Sequence, residues 1–233
     1  MRKRFTSILI PAVMGVLALA GARNASASPS LCDTVTGNIV FNCGFETGDF
    51  TDWSVTGNLY GGVGGNYIGV DDTNPNSGDF EAYFGAPSEY GQTGMGDTYG
   101  PPTTLSQSLT VNPFHYYSLD FYLATGGCSV ADGCPGYYNH FDAAMNDVTV
   151  FSQDNVPTTN GTYDEYTFLF ANEQNISSLP VQFNFTNDSD YFYLDDVTVT
   201  DLGTIPEPAT FGFMALGLGL VYGVSRRARK SRG

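Results

Sequence analysis

The chain has 233 residues, with 24 Asp and Glu against 9 Lys and Arg and a net charge of −15. All nine cations sit at the two ends, so Ser28–Thr204 holds every acidic residue except Glu207 and no Lys or Arg. A region without cations cannot displace counterions from nucleic acid, so nucleic acid is excluded as a partner. The same lack disfavours anionic lipid and sulfated polymers as ligands, and phosphate chemistry, which uses a cationic clamp.

In chain order, the first element is a removable export signal over residues 1–27. Met1-Arg2-Lys3-Arg4 precedes a mostly apolar run from Phe5 to Ala20, and Ala25-Ser26-Ala27 offers the small-residue cleavage pattern. Signal peptidase and the export machinery are therefore expected partners. Residues 28–204 then form one ectodomain, long enough for a real core. All four cysteines lie in it, and an even count in an exported domain points to disulfides. Three pairings are possible; the local ones, Cys32 with Cys43 and Cys128 with Cys134, are favoured. A zinc site is disfavoured, because no CxxC pair or suitably spaced His is present.

Helical periodicity is nearly absent from the ectodomain. Short β-rich runs alternate with Gly, Asn, Asp and Pro clusters. We expect strands near 38–41, 53–56, 67–70, 80–84, 104–111, 116–123, 146–151, 164–170, 181–185 and 192–200. Ten short strands at this spacing predict an all-β fold, a jelly-roll β-sandwich. Gly-rich stretches between Tyr60 and Tyr99 read as surface loops, where recognition groups collect. Apolar sugar faces stack on aromatic rings, so the loop tyrosines Tyr67, Tyr90, Tyr99, Tyr137 and Tyr138 are the candidate ligand-binding residues, beside Tyr60. Trp53, the single tryptophan, is expected in the core.

No Gly-x-Ser-x-Gly elbow, His-Glu-x-x-His helix or P-loop occurs, so we expect no enzyme. His115 and His140 are the only histidines available as bases. The acids are numerous enough that two would approach by chance at the spacing a glycosidase needs.

The last segment, 205–233, begins Ile205-Pro206-Glu207-Pro208 and continues as an uncharged run, Ala209–Val224. As a helix that run spans about 24 Å, short for a hydrocarbon core of about 30 Å. Arg226, Arg227, Arg229, Lys230 and Arg232 follow, which predicts a single transmembrane helix with a cytoplasmic basic tail. Pro206-Glu207-Pro208, an apolar helix and an Arg cluster, in that order, resemble the PEP-CTERM sorting signal, with Arg226 and Arg227 opening the cluster. The resemblance implies an exosortase-like protease as partner, transient anchorage in the inner membrane, and a final place at the cell surface or outside. It associates the chain with extracellular polysaccharide.

Two ectodomain stretches carry a second resemblance: NIVFNCGFETGDFTDWSVTGN from Asn38, and YFYLDDVTVT from Tyr191. With GDFEAYFG and TLSQSLTV between them, they resemble galactose-binding-like jelly rolls, including carbohydrate-binding modules. That resemblance implies polysaccharide binding and a structural calcium held by Glu46 and Asp196, with Asp195 or a backbone carbonyl beside them. The competing readings are a structural or adhesive surface protein without a sugar site and, third, a polysaccharide hydrolase.

Overall fold

The computed structural model describes residues 29–59, 61–85, 102–127, 129–133, 139–187 and 190–206. A four-residue helix, α1 (Leu31–Thr34), precedes ten strands. They are β1 (Ser54–Gly57), β2 (Ile68–Asp71), β3 (Glu81–Phe84), β4 (Thr103–Thr110), β5 (His115–Thr125), β6 (Asn139–Met145), β7 (Val148–Asp154), β8 (Asp164–Ala171), β9 (Ser178–Asn187) and β10 (Phe192–Thr204). The first sheet runs β1-β4-β9-β6-β7 and the second β2-β3-β10-β5-β8.

The pairing defines the fold. β6 pairs with β7, β5 with β8, β4 with β9 and β3 with β10, all antiparallel. These nested pairs are one long hairpin rolled so that successive pairs fall in alternate sheets, which is a jelly roll. β1 and β2 each extend one sheet at its edge.

Period-2 alternation supplies the core. β9 turns Leu179, Val181, Phe183 and Phe185 inward, and β5 turns Leu119, Phe121 and Leu123 to meet them. Phe84 of the second sheet stacks on Phe185 of the first, ring centroids 3.9 Å apart, and Phe121 meets Phe183 edge-on at 5.2 Å. Trp53 is buried against Phe45 and Phe183, and its Nε1 donates to Asn42 O. The Cys32–Cys43 disulfide is present and ties α1 to the segment before β1. Cys128 and Cys134 lie outside the described residues, as do the export signal, Glu207, Pro208, Arg226, Arg227 and the apolar run Ala209–Val224. Among the described residues, no helix is long and apolar enough to cross a membrane.

Two strand expectations are corrected. Residues 38–41 make one bridge, Asn38 to Thr200, and no strand, because Gln107 takes up both the N–H and the C=O of Phe41. The strand expected from 146 starts at 148, and β6 before it was not foreseen. Asn146 and Asp147 have φ of 50° and 60°, the two left-handed residues of a type I′ hairpin turn, and Met145 pairs with Val148 across it.

Candidate ligand-binding groove

The topology sorts the connections by end. The last residues of β1, β3, β5, β7 and β9 and the first residues of β2, β4, β6, β8 and β10 lie at one end of the sandwich, the loop end. The segments 111–114, 146–147 and 172–177 join strands at the other end, where β10 also finishes, whereas 72–80 turns part-way along β10, bonded to Asp195 and Asp196 and, through Asn74 Nδ2, to Gly161 O. Tyr60, Tyr90, Tyr99, Tyr137 and Tyr138 lie outside the described residues, but the strand ends that bracket them, including Phe84, Thr103, Thr125 and Asn139, are all at the loop end. Tyr67, the one described member of the set, is half-buried, packs against the core and has Gly61 against its ring.

At the loop end of the second sheet, the outward faces of β2, β3 and β10 line up Gly69, Tyr83 and Tyr193 in one row. Gly69 is needed there: a Cβ would collide with the Tyr83 ring, which lies across it. Gly85 is needed for the same reason under Tyr191. Tyr83 and Tyr191 meet edge-to-face at 5.7 Å, and Tyr193 lies 6.1 Å from Tyr191. Their hydroxyls fasten the loop before β2: Tyr83 donates to Gly65 O at 2.7 Å and Tyr191 to Asn66 O at 2.8 Å. The three rings, Gly64, Gly65, Asn66, Asp71 and Thr73 enclose an open groove of about 530 Å³. That volume falls in the range of small-ligand sites. Burial raises all three tyrosine hydroxyls, Tyr193 to about 12, so they remain neutral hydrogen-bond donors at ordinary pH.

A layer of acids lies beside the groove. Asp71 is the cross-strand neighbour of Glu81, which is fully buried. Burial, then contact with Asp71, pushes the Glu81 carboxyl up to about 8, although its Oε1 accepts from Asn74 N at 2.7 Å. Asp195, also fully buried, is pushed to about 8 by burial and then by Asp196. Of the Asp71–Glu81 pair only Asp71 reaches the groove, so it does not form the two-carboxylate cleft of a hydrolase.

Glu46 and Asp196, the residues expected to hold calcium, grip one loop, 72–80, from two sides. Glu46 accepts from Asp79 N (3.0 and 3.1 Å) and Phe80 N (3.4 Å). Asp196 accepts from Ser77 Oγ at 2.7 Å, Asn76 Nδ2 at 2.8 Å and Cys32 N at 3.1 Å. Asp195 adds Asn76 N and Ser77 N. Asp196 reaches inward because a register shift in β10 gives it a φ of 50°. Each oxygen of Glu46 and Asp196 already accepts a hydrogen bond, so a cation there has to compete with the loop. The tightest trio of ligand-type side chains among the described residues is elsewhere, Cys32, Asp33 and Cys43, and its two sulfurs are bonded to each other.

The outer face of the first sheet carries a polar ladder. Thr104 Oγ1 donates to Asn184 Oδ1 (2.6 Å), Asn184 Nδ2 to Asp142 Oδ1 (2.8 Å), and His140 bridges Asp142 and Asp154 at 3.3 and 2.7 Å. Asp142 and then Asp154 raise the His140 pKa against the opposing effect of burial. These groups satisfy one another across four strands, whereas the groove presents ring faces and a carboxylate to solvent.

Sequence reasoning missed Tyr83, Tyr191, Tyr193 and Asp71. A signal for them existed: Tyr191 and Tyr193 flank the core residue Phe192, so period 2 puts them on the outer face together.

No family model matches the chain, and no curated protein does. Among solved structures it is similar to TmCBM61 in complex with β-1,4-galactotriose, with a TM-score of 0.48, 16% identity, and 70% of this chain and 98% of that one covered. It is also similar to the CBM22-1 xylan-binding domain of Xyn10C from Paenibacillus barcinonensis, with a TM-score of 0.45, 15% identity and coverage of 70% and 93%. Against the enzymatically active domain of tailspike protein 4 of bacteriophage CBA120 the TM-score is 0.48 at 14% identity, covering 71% of this chain and 21% of that one. The strand order, not these likenesses, defines the fold.

Proposed function

We propose that the chain is an exported surface or extracellular protein whose sandwich binds a neutral polysaccharide in the groove of Tyr83, Tyr191 and Tyr193. The observation that carries this reading is the set of three rings around a carboxylate and backbone groups in one open groove. Sugars present apolar faces to rings and hydroxyls to oxygen acceptors, and Asp71 and Thr73 are placed to meet the hydroxyls. The absence of Lys and Arg from Ser28–Thr204 selects uncharged glycans over uronic or sulfated ones. The Cys32–Cys43 disulfide suits an oxidising, extracytoplasmic setting. Delivery in this proposal follows the segment order of the sequence: signal peptidase removes residues 1–27, and an exosortase-like protease acts near Pro206-Glu207-Pro208.

The test is binding of the exported protein to a panel of neutral galactans, xylans and glucans by affinity electrophoresis, with Tyr191→Ala alongside. Retardation by at least one neutral glycan, weakened about tenfold or more in Tyr191→Ala, is the expected result. Equal mobility of the two proteins on every glycan would refute it.

Calcium between Glu46 and Asp196 belongs to the same proposal. Both acids hold one loop in a domain without cations, and calcium takes carboxylate and backbone oxygens. Because it must displace Ser77 Oγ and amide donors, its expected dissociation constant is roughly 10⁻⁴–10⁻³ M, the range of extracellular modules.

A further inference from the structure

At the opposite end from the groove, the chain leaves the sandwich through a rim of exposed apolar side chains. Ile205 N donates to Phe114 O at 2.7 Å, so the last described residues run beside the β4–β5 turn. Phe114 is 51% exposed, Leu202 55% and Tyr116 39%. Tyr116 pairs with Gly203, and Leu202 is the residue expelled by the register shift between Asp201 and Gly203. Phe114, Tyr116, Leu202 and Ile205 therefore form one patch around the point of exit.

Two features set this patch apart from scattered surface residues. Phe114 has a φ of 57°, a left-handed conformation that a bulky side chain rarely adopts, and it gains no burial from it. The turn that imposes this is firmly held. The Tyr117 hydroxyl accepts from Asn112 N and donates to Asn112 O, and Asp201 takes Asn112 Nδ2, His115 Nδ1 and Gly203 N. The second feature is distance. Only Pro206, Glu207 and Pro208 separate Ile205 from the uncharged run that starts at Ala209. Four extended Cα–Cα steps span at most about 14 Å. With Ala209 at the hydrocarbon boundary and a polar layer of about 6 Å on each side of the core, Ile205 and its neighbours stay within about 8 Å of the lipid surface.

We infer that this end of the sandwich is a membrane-docking face: Phe114, Tyr116 and Leu202 enter the polar–apolar boundary of the bilayer while the C-terminal segment is anchored. This rests on the transmembrane reading of Ala209–Val224. Aromatic rings settle at that boundary, and the strain in Phe114 is then matched by a burial that the free domain lacks. Docking of this kind seats the sandwich with its groove pointing away from the membrane and fixes the approach of any protease to Pro206-Glu207-Pro208. With no Lys or Arg in the domain, contact is apolar and insensitive to salt.

The test places the exported chain, C-terminal segment intact, in phosphatidylcholine vesicles containing lipid brominated near the head of the acyl chain. Phe114→Trp and Tyr191→Trp are compared with the unchanged chain, whose Trp53 is buried and common to all. Vesicle flotation reports anchorage separately. The expected result is flotation of all three, with emission of Phe114→Trp reduced about twofold and that of Tyr191→Trp as little affected as the unchanged chain, at both 0.05 and 0.5 M salt. Flotation with equal quenching of the two variants would overturn the docking face and leave the anchor standing. Failure to float would overturn both.

Discussion

Tyr191 does two things in the groove: its ring stands between Tyr83 and Tyr193, and its hydroxyl fastens Asn66. Tyr191→Phe keeps the ring and loses the tie, so glycan binding should fall by less than in Tyr191→Ala; calorimetric titration of both variants separates stacking from loop positioning. Cys32 and Cys43 are 11 positions apart in the chain. Opening that loop should cost roughly 2–3 kcal/mol on the chain-entropy account. Urea unfolding of Cys32→Ser/Cys43→Ser should show a lower midpoint than the parent, and an unchanged midpoint would mean the pair adds nothing. Both cysteines and their local pairing could be read from the sequence. The tyrosines that line the groove could not be ranked, because Tyr and Phe supply core and surface alike in this chain.

At the scale of elements, the β2–β3 loop is held by acids on three sides: Glu46, Glu81 and the Asp195–Asp196 pair. Burial raises Glu81 and Asp195 to about 8. A carboxyl raised in the folded state adds stability that is full below its unfolded pKa of about 4 and is lost as pH rises through the folded value. The domain should therefore lose stability between about pH 4 and 8, by up to about 1.4 kcal/mol per pH unit for each group. Urea midpoints from pH 5 to 9 should fall with pH, and Glu81→Gln should flatten the fall and raise the midpoint at pH 8. A midpoint rising toward pH 8 would contradict the buried-acid account. His140, raised by its two carboxylates, acts in the same sense. Nine of the ten strands of the sandwich were legible from alternation and turn residues. β6 was not, because Ala143-Ala144-Met145 lacks the β-branched signature, and its place between β7 and β9 is set by partners distant in sequence.

Across the whole molecule, charge and topology divide the labour. Neutral glycans should bind with little dependence on salt, while heparin and alginate should fail to bind at any ionic strength; electrophoresis in gels containing each polymer decides this. Intact mass of the mature protein should lack Ala209–Gly233 if sorting proceeds as proposed, and retention of that segment would leave only a permanent anchor.

The sequence by itself determined what is local or additive: an acidic region free of cations, an all-β pattern, a core tryptophan, a nearby disulfide, and the chemical character of both ends. These follow from composition and from periodicities of two residues, which need no partner to be seen. Only the tertiary structure decided that Gly69, Tyr83 and Tyr193 share a row, that Glu46 and Asp196 hold one loop, and that Phe114 and Leu202 meet at the exit. The reason is the roll itself. It pairs strands far apart in the chain, β3 with β10 and β4 with β9, and register between distant strands is fixed by packing two sheets together, not by any short stretch of residues.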